Sequence, residues 1–530
     1  MTVKTWRRWV SLVAVMFLSL SLLAACSKPA AKEPAKPQVA VYANSSEVMV
    51  FWDPSDSFSN EIIAMNTMYE TLLRYDPVDD KFLPVLATDY SKSTDGLEWT
   101  FHIRKGVKFH TGNPMDAVAV KYSIERTIKR GKGASFIWDA VDKIETPDQY
   151  TVVFRLKYPA PMDIVVSSGY GAFVFDPQAV QQHGEDWFAA GHEAGTGPYM
   201  LESYDKAADL VLTRFPDYWR GWEGKHFDKV VFKQVTEPTT RRQMIEAGQA
   251  DYANQLPLDQ IADLKQNPRV RIAVTPSFQN LLGMLNTAKK PLSNPDVRRA
   301  ISYAVPYQDI ISSVMLGYAF QARGPVPKGL WGHSDQVPQY TYDPDKARAL
   351  LEKAGYGKGG FKLLLTYTSG DEQERRVAEL LKASLVKLGI DLEIRVMNWE
   401  QQWDLAKNPD PNKRQDILLF YWWPDYADPY SFLVNLFHSE PEVVFNLSYY
   451  KNPDYDRLIE EGHRVSGIDR QQAIAKYVEA QKALVDDAGA LFLYDQQYVR
   501  PLAASLQGFV DNPAYPHVVW WYDCYREEAK

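Results

Sequence analysis

The sequence predicts a mixed α/β protein with more than one lobe, on three observations. The chain has 530 residues, of which 45% are hydrophobic and 24% charged, so at about 100–200 residues per domain two or three lobes are expected. Alternating apolar segments predict an α+β region in the first half. A strand–helix–strand succession predicts an α/β region in the second half.

In the first half, two short segments alternate apolar and polar residues, which is typical of half-buried strands. They are Leu97–Ile103 and Tyr150–Leu156. Between them, Asp116–Ile128 has the spacing of an amphipathic helix, with Val118, Val120 and Ile124 expected to face inward.

In the second half, Asn294-Pro295 and Asp343-Pro344 each predict the beginning of a helix, because a capping side chain precedes a proline. Phe361–Thr366 is predicted to be a strand, Glu372–Leu388 an amphipathic helix, and Ile417–Phe420 a fully apolar strand. In open sheets of this kind, ligands bind beyond the carboxyl ends of the strands. The segment that follows Phe420 is therefore a candidate ligand site.

The composition limits the possible functions. The formal net charge of -8 gives no electrostatic reason to expect nucleic-acid binding, which requires a basic face. The two cysteines exclude a disulfide-stapled scaffold and a four-cysteine zinc module. Aromatic residues make up 13% of the chain. They fill a large core or, in part, line a ligand cavity.

Residues 1–25 are predicted to be a signal peptide, because Lys4, Arg7 and Arg8 precede an uncharged apolar run. Its end, Leu23-Ala24-Ala25-Cys26, resembles the bacterial lipobox. That resemblance implies that Cys26 carries lipid and anchors the protein to the extracytoplasmic face of the cell membrane or to the cell surface. The proline-rich residues 26–37 are predicted to be a flexible tether.

The familiar catalytic sequence motifs are missing. The chain contains no His-Glu-x-x-His, no Gly-x-Ser-x-Gly and no phosphate-binding loop. We therefore expect no enzyme activity, no metal site and no cofactor. A pair of carboxylates far apart in sequence would escape such a search, so a secreted glycosidase stays open as a minor alternative.

Several segments are similar to signature segments of the bacterial extracellular solute-binding proteins of family 5, the dipeptide- and oligopeptide-binding lipoproteins of ABC importers. The matches run in the family's order from about residue 38 to the C-terminus. They are Tyr69–Pro77, Pro84–Thr88, Asp95–His110, Gly195–Tyr199, Pro295–Ile301 and Asn512–Pro516.

This resemblance implies a two-lobed periplasmic-binding-protein fold (type II, similar to cluster C) with two crossover hinge strands and an extra subdomain in the first lobe. We expect lobe 1 at 38–276, with the subdomain at about 60–190, lobe 2 at 277–489, and a return at 490–530 that completes lobe 1. The crossings are expected near Arg269–Leu285 and Asp487–Gln497. A monomer that closes over its ligand and docks on the permease subunits is implied as well.

The resemblance also implies site residues, centred on the segment Tyr421–Pro429. Asp425 matches the aspartate that pairs with a peptide's α-ammonium group, a charge-assisted contact. Trp422 and Trp399 match pocket aromatics, with Trp403 as an alternative to Trp399, and the backbone at Tyr421 and Trp423 would pair with the peptide as an added strand. The remaining candidates are Tyr426, Asn446, Phe51, Trp52 and Phe136.

Structural roles for these residues stay open at this point, because Asp425 could cap a turn and each tryptophan could belong to the core. Pro424 and the doubled tryptophan depart from the family pattern and would reshape the cleft. The ligand class also stays open between a short peptide and an alternative, which is an oligosaccharide stacked on the tryptophans or another small solute.

Overall fold

The computed structural model describes residues 37–206, 208–441 and 443–527. The predicted signal peptide, Cys26 and the tether up to residue 36 lie outside the described residues. Everything below concerns the body of the protein from Val39 onward.

A seven-stranded sheet, called the first sheet, forms around the N-terminal strand Val39–Asn44. This strand pairs in parallel with Lys229–Gln234 on one side and Tyr252–Ala253 on the other, and its last three residues are all buried. From edge to edge the strands are Val270–Thr275, Tyr498–Ala503, Tyr252–Ala253, Val39–Asn44, Lys229–Gln234, Asp209–Arg214 and Tyr199–Tyr204.

A separate four-stranded antiparallel sheet contains the two strands predicted in the first half. Its order is Ala87–Lys92, Glu98–Ile103, Thr151–Leu156, Val141–Asp148. The helix Ala117–Arg130 packs against it; the Asp116 side chain caps its first turn and Gly131, with φ of 60°, follows its end. The inward orientation predicted for Val118 is wrong, because this side chain is 55% exposed whereas Val120 and Ile124 are buried.

The six-stranded second sheet carries the predicted strand–helix–strand unit. Its order is Ala319–Gln321, Ala490–Gln496, Asn280–Leu285, Ile417–Trp422, Lys362–Thr368, Asp391–Met397, of which the last three are mutually parallel. The helix Glu372–Leu385 connects the strand Lys362–Thr368 to the edge strand Asp391–Met397 and ends in a 3-10 turn over Val386–Leu388. The apolar strand predicted over Ile417–Phe420 continues to Trp422.

The chain passes twice between these two sheets. Val270–Thr275 in the first sheet is followed by Asn280–Leu285 in the second, and Ala490–Gln496 in the second is followed by Tyr498–Ala503 in the first. Sheet membership therefore changes at 276–279 and again at Gln497. The division into lobes at the residues given above stays a prediction, although the strand Ala490–Gln496, assigned there to the return, pairs within the second sheet.

The two predicted helix beginnings are confirmed. The Asn294 side chain accepts a hydrogen bond from the Asp296 amide, and the Asp343 side chain accepts one from the Lys346 amide.

Among the helices of the described residues, none is both long and apolar enough to cross a membrane. The α-helices not yet given are Ile62–Met68, Met162–Val165, Pro177–His183, Pro238–Glu246, Leu258–Leu264, Pro295–Ala304, Tyr307–Asp309, Pro344–Lys353, Trp399–Ala406, Pro429–Phe437, Pro453–Ser466 and Arg470–Asp486.

Candidate ligand-binding site

A cavity of about 630 Å³ lies at the carboxyl ends of the three parallel strands of the second sheet. The segments that follow these strands supply one side of its lining, as expected for an open parallel sheet. The other side comes from the first half of the chain: Phe58, Ser59, Gly133, Phe136 and Tyr170. The cavity therefore joins segments that are far apart in sequence.

Five aromatic side chains form what we call the aromatic wall of this cavity: Trp399, Trp403, Phe420, Trp422 and Phe445. The rings of Trp399 and Phe420 are stacked, with centroids 5.6 Å apart and an interplanar angle of 12°. Trp422 contacts Phe420 at 5.6 Å and Phe445 at 5.5 Å. Trp399 is 39% exposed, so a flat apolar surface faces the open part of the cavity.

The alternation of the strand Ile417–Trp422 explains why two of these rings share a face. Successive side chains of a strand point to opposite faces, so Phe420 and Trp422 pack with the aromatic wall. Tyr421 points the other way, and its hydroxyl lies 2.8 Å from the hydroxyl of Tyr494. The indole N–H of Trp422 is buried and has no hydrogen-bond acceptor among the residues that the structure describes.

The carboxylate of Asp425 reaches the cavity from the turn after this strand. Its Oδ2 accepts hydrogen bonds from the Ser431 hydroxyl at 2.7 Å and the Asn435 amide at 2.8 Å. Both donors are neutral, and both contact the same oxygen. Burial raises the pKa of Asp425 to about 6, against the smaller opposing effect of these hydrogen bonds.

Contacts from the first half of the chain and from the C-terminal segment fix the backbone of Asp425. Its carbonyl oxygen accepts hydrogen bonds from the Ser168 hydroxyl at 2.8 Å and the Tyr515 hydroxyl at 2.9 Å. Its amide donates to Ser431 Oγ at 3.0 Å. The carboxylate is therefore held in one position before any ligand enters.

Two further acids, Asp371 and Glu374, line the cavity at the beginning of the helix Glu372–Leu385. Asp371 caps this helix by accepting a hydrogen bond from the Glu374 amide at 2.8 Å. Glu374 is 2% exposed, and its Oε2 accepts a hydrogen bond from the Thr368 amide at 2.6 Å. Burial raises the pKa of Asp371 to about 6 and that of Glu374 to about 8; the charge of Glu372 adds to the rise at Asp371, and the charge of Asp371 adds to the rise at Glu374.

Most of the predicted site residues meet at this cavity. Those that line it are Asp425, Trp422, Trp423, Tyr421, Trp399 and Phe136. Trp403, the alternative to Trp399, lines it as well, and the two rings contact each other at 5.4 Å.

Four predicted residues do not line it. Tyr426 is 4% exposed in the core, and Trp52 is buried against Tyr204. Phe51 stands one layer away, packed on Phe58. Asn446 is buried beside a different cavity, where its amide donates to two backbone carbonyls.

Sequence reasoning missed the acids Asp371 and Glu374 and the first-half residues Phe58 and Tyr170. The acids follow the carboxyl end of a predicted parallel strand, and residues in that position are expected near a ligand site in an open sheet. For a metal, the described residues contain no group of three or more His, Cys, Asp or Glu side chains arranged to hold an ion.

Comparisons with known proteins agree with this geometry. Residues 81–442 match the model of the bacterial extracellular solute-binding proteins, family 5 Middle. The chain is 32% identical over 508 residues to the probable D,D-dipeptide-binding periplasmic protein DdpA of Escherichia coli strain K12, covering 94% of this chain and 96% of that protein. It is 29% identical over 472 residues to the glutathione-binding protein GsiB of Pectobacterium atrosepticum, covering 87% and 89%.

Among solved structures, the chain is similar to the ABC transporter-associated periplasmic binding protein DppA of Helicobacter pylori in complex with the peptide STSA. The TM-score is 0.81 at 27% identity, and the alignment covers 92% of this chain and 98% of that one. NikA of Brucella suis, in complex with Fe(III)-EDTA, has a TM-score of 0.82 at 22% identity and covers 92% and 100%. These similarities confirm the predicted fold class.

Proposed function

The chain belongs to family 5 of the bacterial extracellular solute-binding proteins, and from this premise we propose that it captures short peptides for an ABC importer, with Asp425 receiving the α-ammonium group. The predicted family is thereby confirmed. Because the family consists of solute-binding proteins, the prediction that the chain is not an enzyme is confirmed too, and the secreted glycosidase is ruled out.

Peptide is the ligand class that its relatives favour. DdpA is named for D,D-dipeptides, GsiB for glutathione, and the DppA structure contains a tetrapeptide. NikA and its Fe(III)-EDTA complex share the fold at a lower identity. The fold alone therefore does not select peptides, and the proposal depends on the residues of the cavity.

The carboxylate of Asp425 is the observation that carries the proposal. An ammonium group that leaves water needs a fixed anion with an open acceptor. Oδ2 receives both side-chain donors, Ser431 and Asn435, so the other oxygen receives neither of them. The raised pKa of about 6 is what an anion without a positive partner would have in a partly dry cavity.

The aromatic wall supplies apolar area for side chains. Rings of this kind bury much surface at a small entropic cost, and they accept side chains of varied shape. Phe58 and Tyr170, on the opposite side of the cavity, would cover the bound peptide. A ligand that contacts both sides favours a closed state in proportion to its extra affinity for that state, and the closed form would be the one presented to the permease.

Isothermal titration of the full chain in detergent tests the proposal. Free di- to pentapeptides should bind, and their N-acetylated counterparts should bind about tenfold or more weakly, since a hydrogen bond between charged partners is lost. Equal affinity for free and acetylated peptides would contradict the role of Asp425. Cello- and manno-oligomers are the comparison set, because the stacked Trp399 and Phe420 would also suit a sugar face, and sugar binding without peptide binding would favour that alternative.

We further propose that Cys26 carries the lipid anchor predicted from the lipobox. The substitution Cys26→Ser should move the protein from the membrane fraction to the soluble fraction and abolish its labelling by radioactive palmitate. Cys524 is buried in the body, so Cys524→Ser is the matched control and should leave both readouts unchanged. An unchanged membrane fraction for the Cys26 variant would contradict the anchor.

A further inference from the structure

The charged residues that line the cavity are all acidic within the part of the chain that the structure describes. Five carboxylates line it: Asp371, Glu374, Glu400, Asp404 and Asp425. The lining drawn from the described part of the chain includes no lysine, arginine or histidine. A zwitterionic peptide held entirely inside would bring its terminal carboxylate into this field without a positive partner, which is costly in a partly dry site.

Glu400 and Asp404 are exposed on the helix Trp399–Ala406, and the other three acids fall into two groups on different segments. Asp425 follows the strand Ile417–Trp422, whereas Asp371 and Glu374 follow the neighbouring strand Lys362–Thr368. The groups of the described residues that donate hydrogen bonds to these three carboxylates are neutral. Ser431 and Asn435 donate to Asp425, the Thr368 amide donates to Glu374, and the Glu374 amide donates to Asp371. Asp425 therefore offers one negative charge to a ligand, and the pair Asp371 and Glu374 offers at least one, because a cation beside the pair would favour ionisation of the second carboxyl group.

We propose that the ligand is a peptide with two cationic groups, in which the α-ammonium group pairs with Asp425 and a basic side chain pairs with Asp371 and Glu374. This inference deepens the proposed function and rests on it. The aromatic wall would accommodate the methylene chain of a lysine or the plane of an arginine, and its ring faces attract cations.

The indole N–H of Trp422 favours a peptide over a simple diamine. Trp422 is 9% exposed and lines the cavity, and its N–H has no acceptor among the described residues. A buried donor without an acceptor costs free energy. A peptide carbonyl could satisfy it, whereas an aliphatic diamine has no acceptor to offer once both amines are protonated.

Four probes, three of them dipeptides of nearly equal size, separate these possibilities in isothermal titration of the full chain. They are alanyl-lysine amide, alanyl-norleucine amide, free alanyl-lysine and 1,5-diaminopentane. We expect the lysine amide to bind about tenfold or more tightly than the norleucine amide, the range for a hydrogen bond to a charged group. Amidation should strengthen binding relative to the free acid, and the diamine should bind more weakly than the lysine amide.

The variant Glu374→Gln keeps the size of the side chain and removes the carboxyl group that would ionise beside a basic side chain. It should abolish the preference for lysine over norleucine, measured as the ratio of the two affinities within the variant. Glu400→Gln is the matched control, because Glu400 is an exposed carboxylate of the same cavity. It should retain the preference, and so separate the buried group from the general negative field.

The outcomes distinguish this inference from the proposed function. If the lysine and norleucine amides bind equally and both need a free α-amine, the inference is refuted and the peptide receptor stands. If acetylated and free peptides bind alike, the proposed function itself fails. If the diamine binds as tightly as the lysine amide, the ligand is a polyamine and the peptide assignment is refuted. The comparison of probes on the unsubstituted protein tests the inference even if a variant does not fold.

Discussion

Replacing Asp425 by asparagine should stabilise the empty protein while it abolishes ligand selection. This combination follows from the position of the carboxylate, which accepts hydrogen bonds from Ser431 and Asn435 and forms no ion pair with any residue in the described part of the chain. A residue whose role is purely structural would show the opposite result. The substitution Asp425→Asn therefore separates the two interpretations that the sequence leaves open.

The magnitude follows from the pKa of Asp425, which is about 6 in the folded protein against an ordinary value of 3.8. Between these values the folded state binds more protons than the unfolded state, so stability falls as the pH rises from about 4 to about 6. Above about pH 6 the folded protein bears the full free-energy cost of burying the ionised carboxylate. Two pKa units at about 1.4 kcal/mol each give a cost of up to about 3 kcal/mol.

The substituted amide removes that cost without removing the local hydrogen bonds, because its carbonyl oxygen can accept from Ser431 and Asn435 as Oδ2 does now. We therefore expect the variant to exceed the unsubstituted protein in free energy of unfolding at pH 7.5. The difference should fall to a small fraction of that value near pH 4, where the carboxyl group is protonated in the folded state and about half protonated in the unfolded state. In parallel, peptide binding at pH 7.5 should weaken about tenfold or more.

Urea unfolding at the two pH values, followed by far-ultraviolet circular dichroism, measures the stability, and isothermal titration measures binding. Asp404→Asn is the matched control, because it removes the same charge from an exposed position on the same cavity. It should alter neither quantity appreciably. A loss of stability at pH 7.5 in the Asp425 variant would refute the reasoning and assign the carboxylate to the turn alone.

Three further predictions concern the same region. Trp399→Ala should weaken peptide binding by about 1–2 kcal/mol in isothermal titration, as for an aromatic contact surface, with little change in melting temperature because the side chain is 39% exposed. Asn446→Ala should lower the free energy of unfolding in urea by about 1–3 kcal/mol, because the carbonyls of His438 and Tyr450 lose their donor, while peptide affinity stays unchanged. Lowering the pH from 7 to 5 should weaken the binding of a peptide without basic side chains about tenfold in the same titrations, because Asp425 takes up a proton below its pKa of about 6; a constant affinity would contradict this role.

The local pattern of apolar and polar residues was sufficient to predict the strand and the helix that carry the site. The apolar run Ile417–Phe420 and the amphipathic helix from Glu372 had the right type and nearly the right ends. The strand continued through Tyr421 and Trp422 because sheet pairing with Leu281 and Asn280 extends to them. Such pairing depends on a partner more than 130 residues away, so no short window of sequence contains it.

The opposite side of the cavity could not be found from local sequence. Phe58 and Tyr170 reach it from separate segments, and their positions depend on close backbone approaches elsewhere. Gly133, for example, has φ of 53°, and an added Cβ would lie 2.6 Å from the carbonyl oxygen of Asp56. This contact requires glycine, but the sequence around Gly133 by itself predicts only a turn.

The acids were missed for a different reason, because each has an ordinary structural explanation. Asp371 has the position of a helix cap, and Glu374 lies in the first helical turn, where acids interact favourably with the helix dipole. Helix formation would be equally well served by an exposed glutamate, yet Glu374 is 2% exposed. A buried acid facing a cavity, with a neighbouring acid and no cation, reduces the stability of the empty protein. A positively charged ligand would offset the cost of burying Glu374 beside Asp371, as it would offset the cost of burying Asp425. This shared energetic cost is the physical link between the proposed capture of peptides and the proposed choice of basic ones.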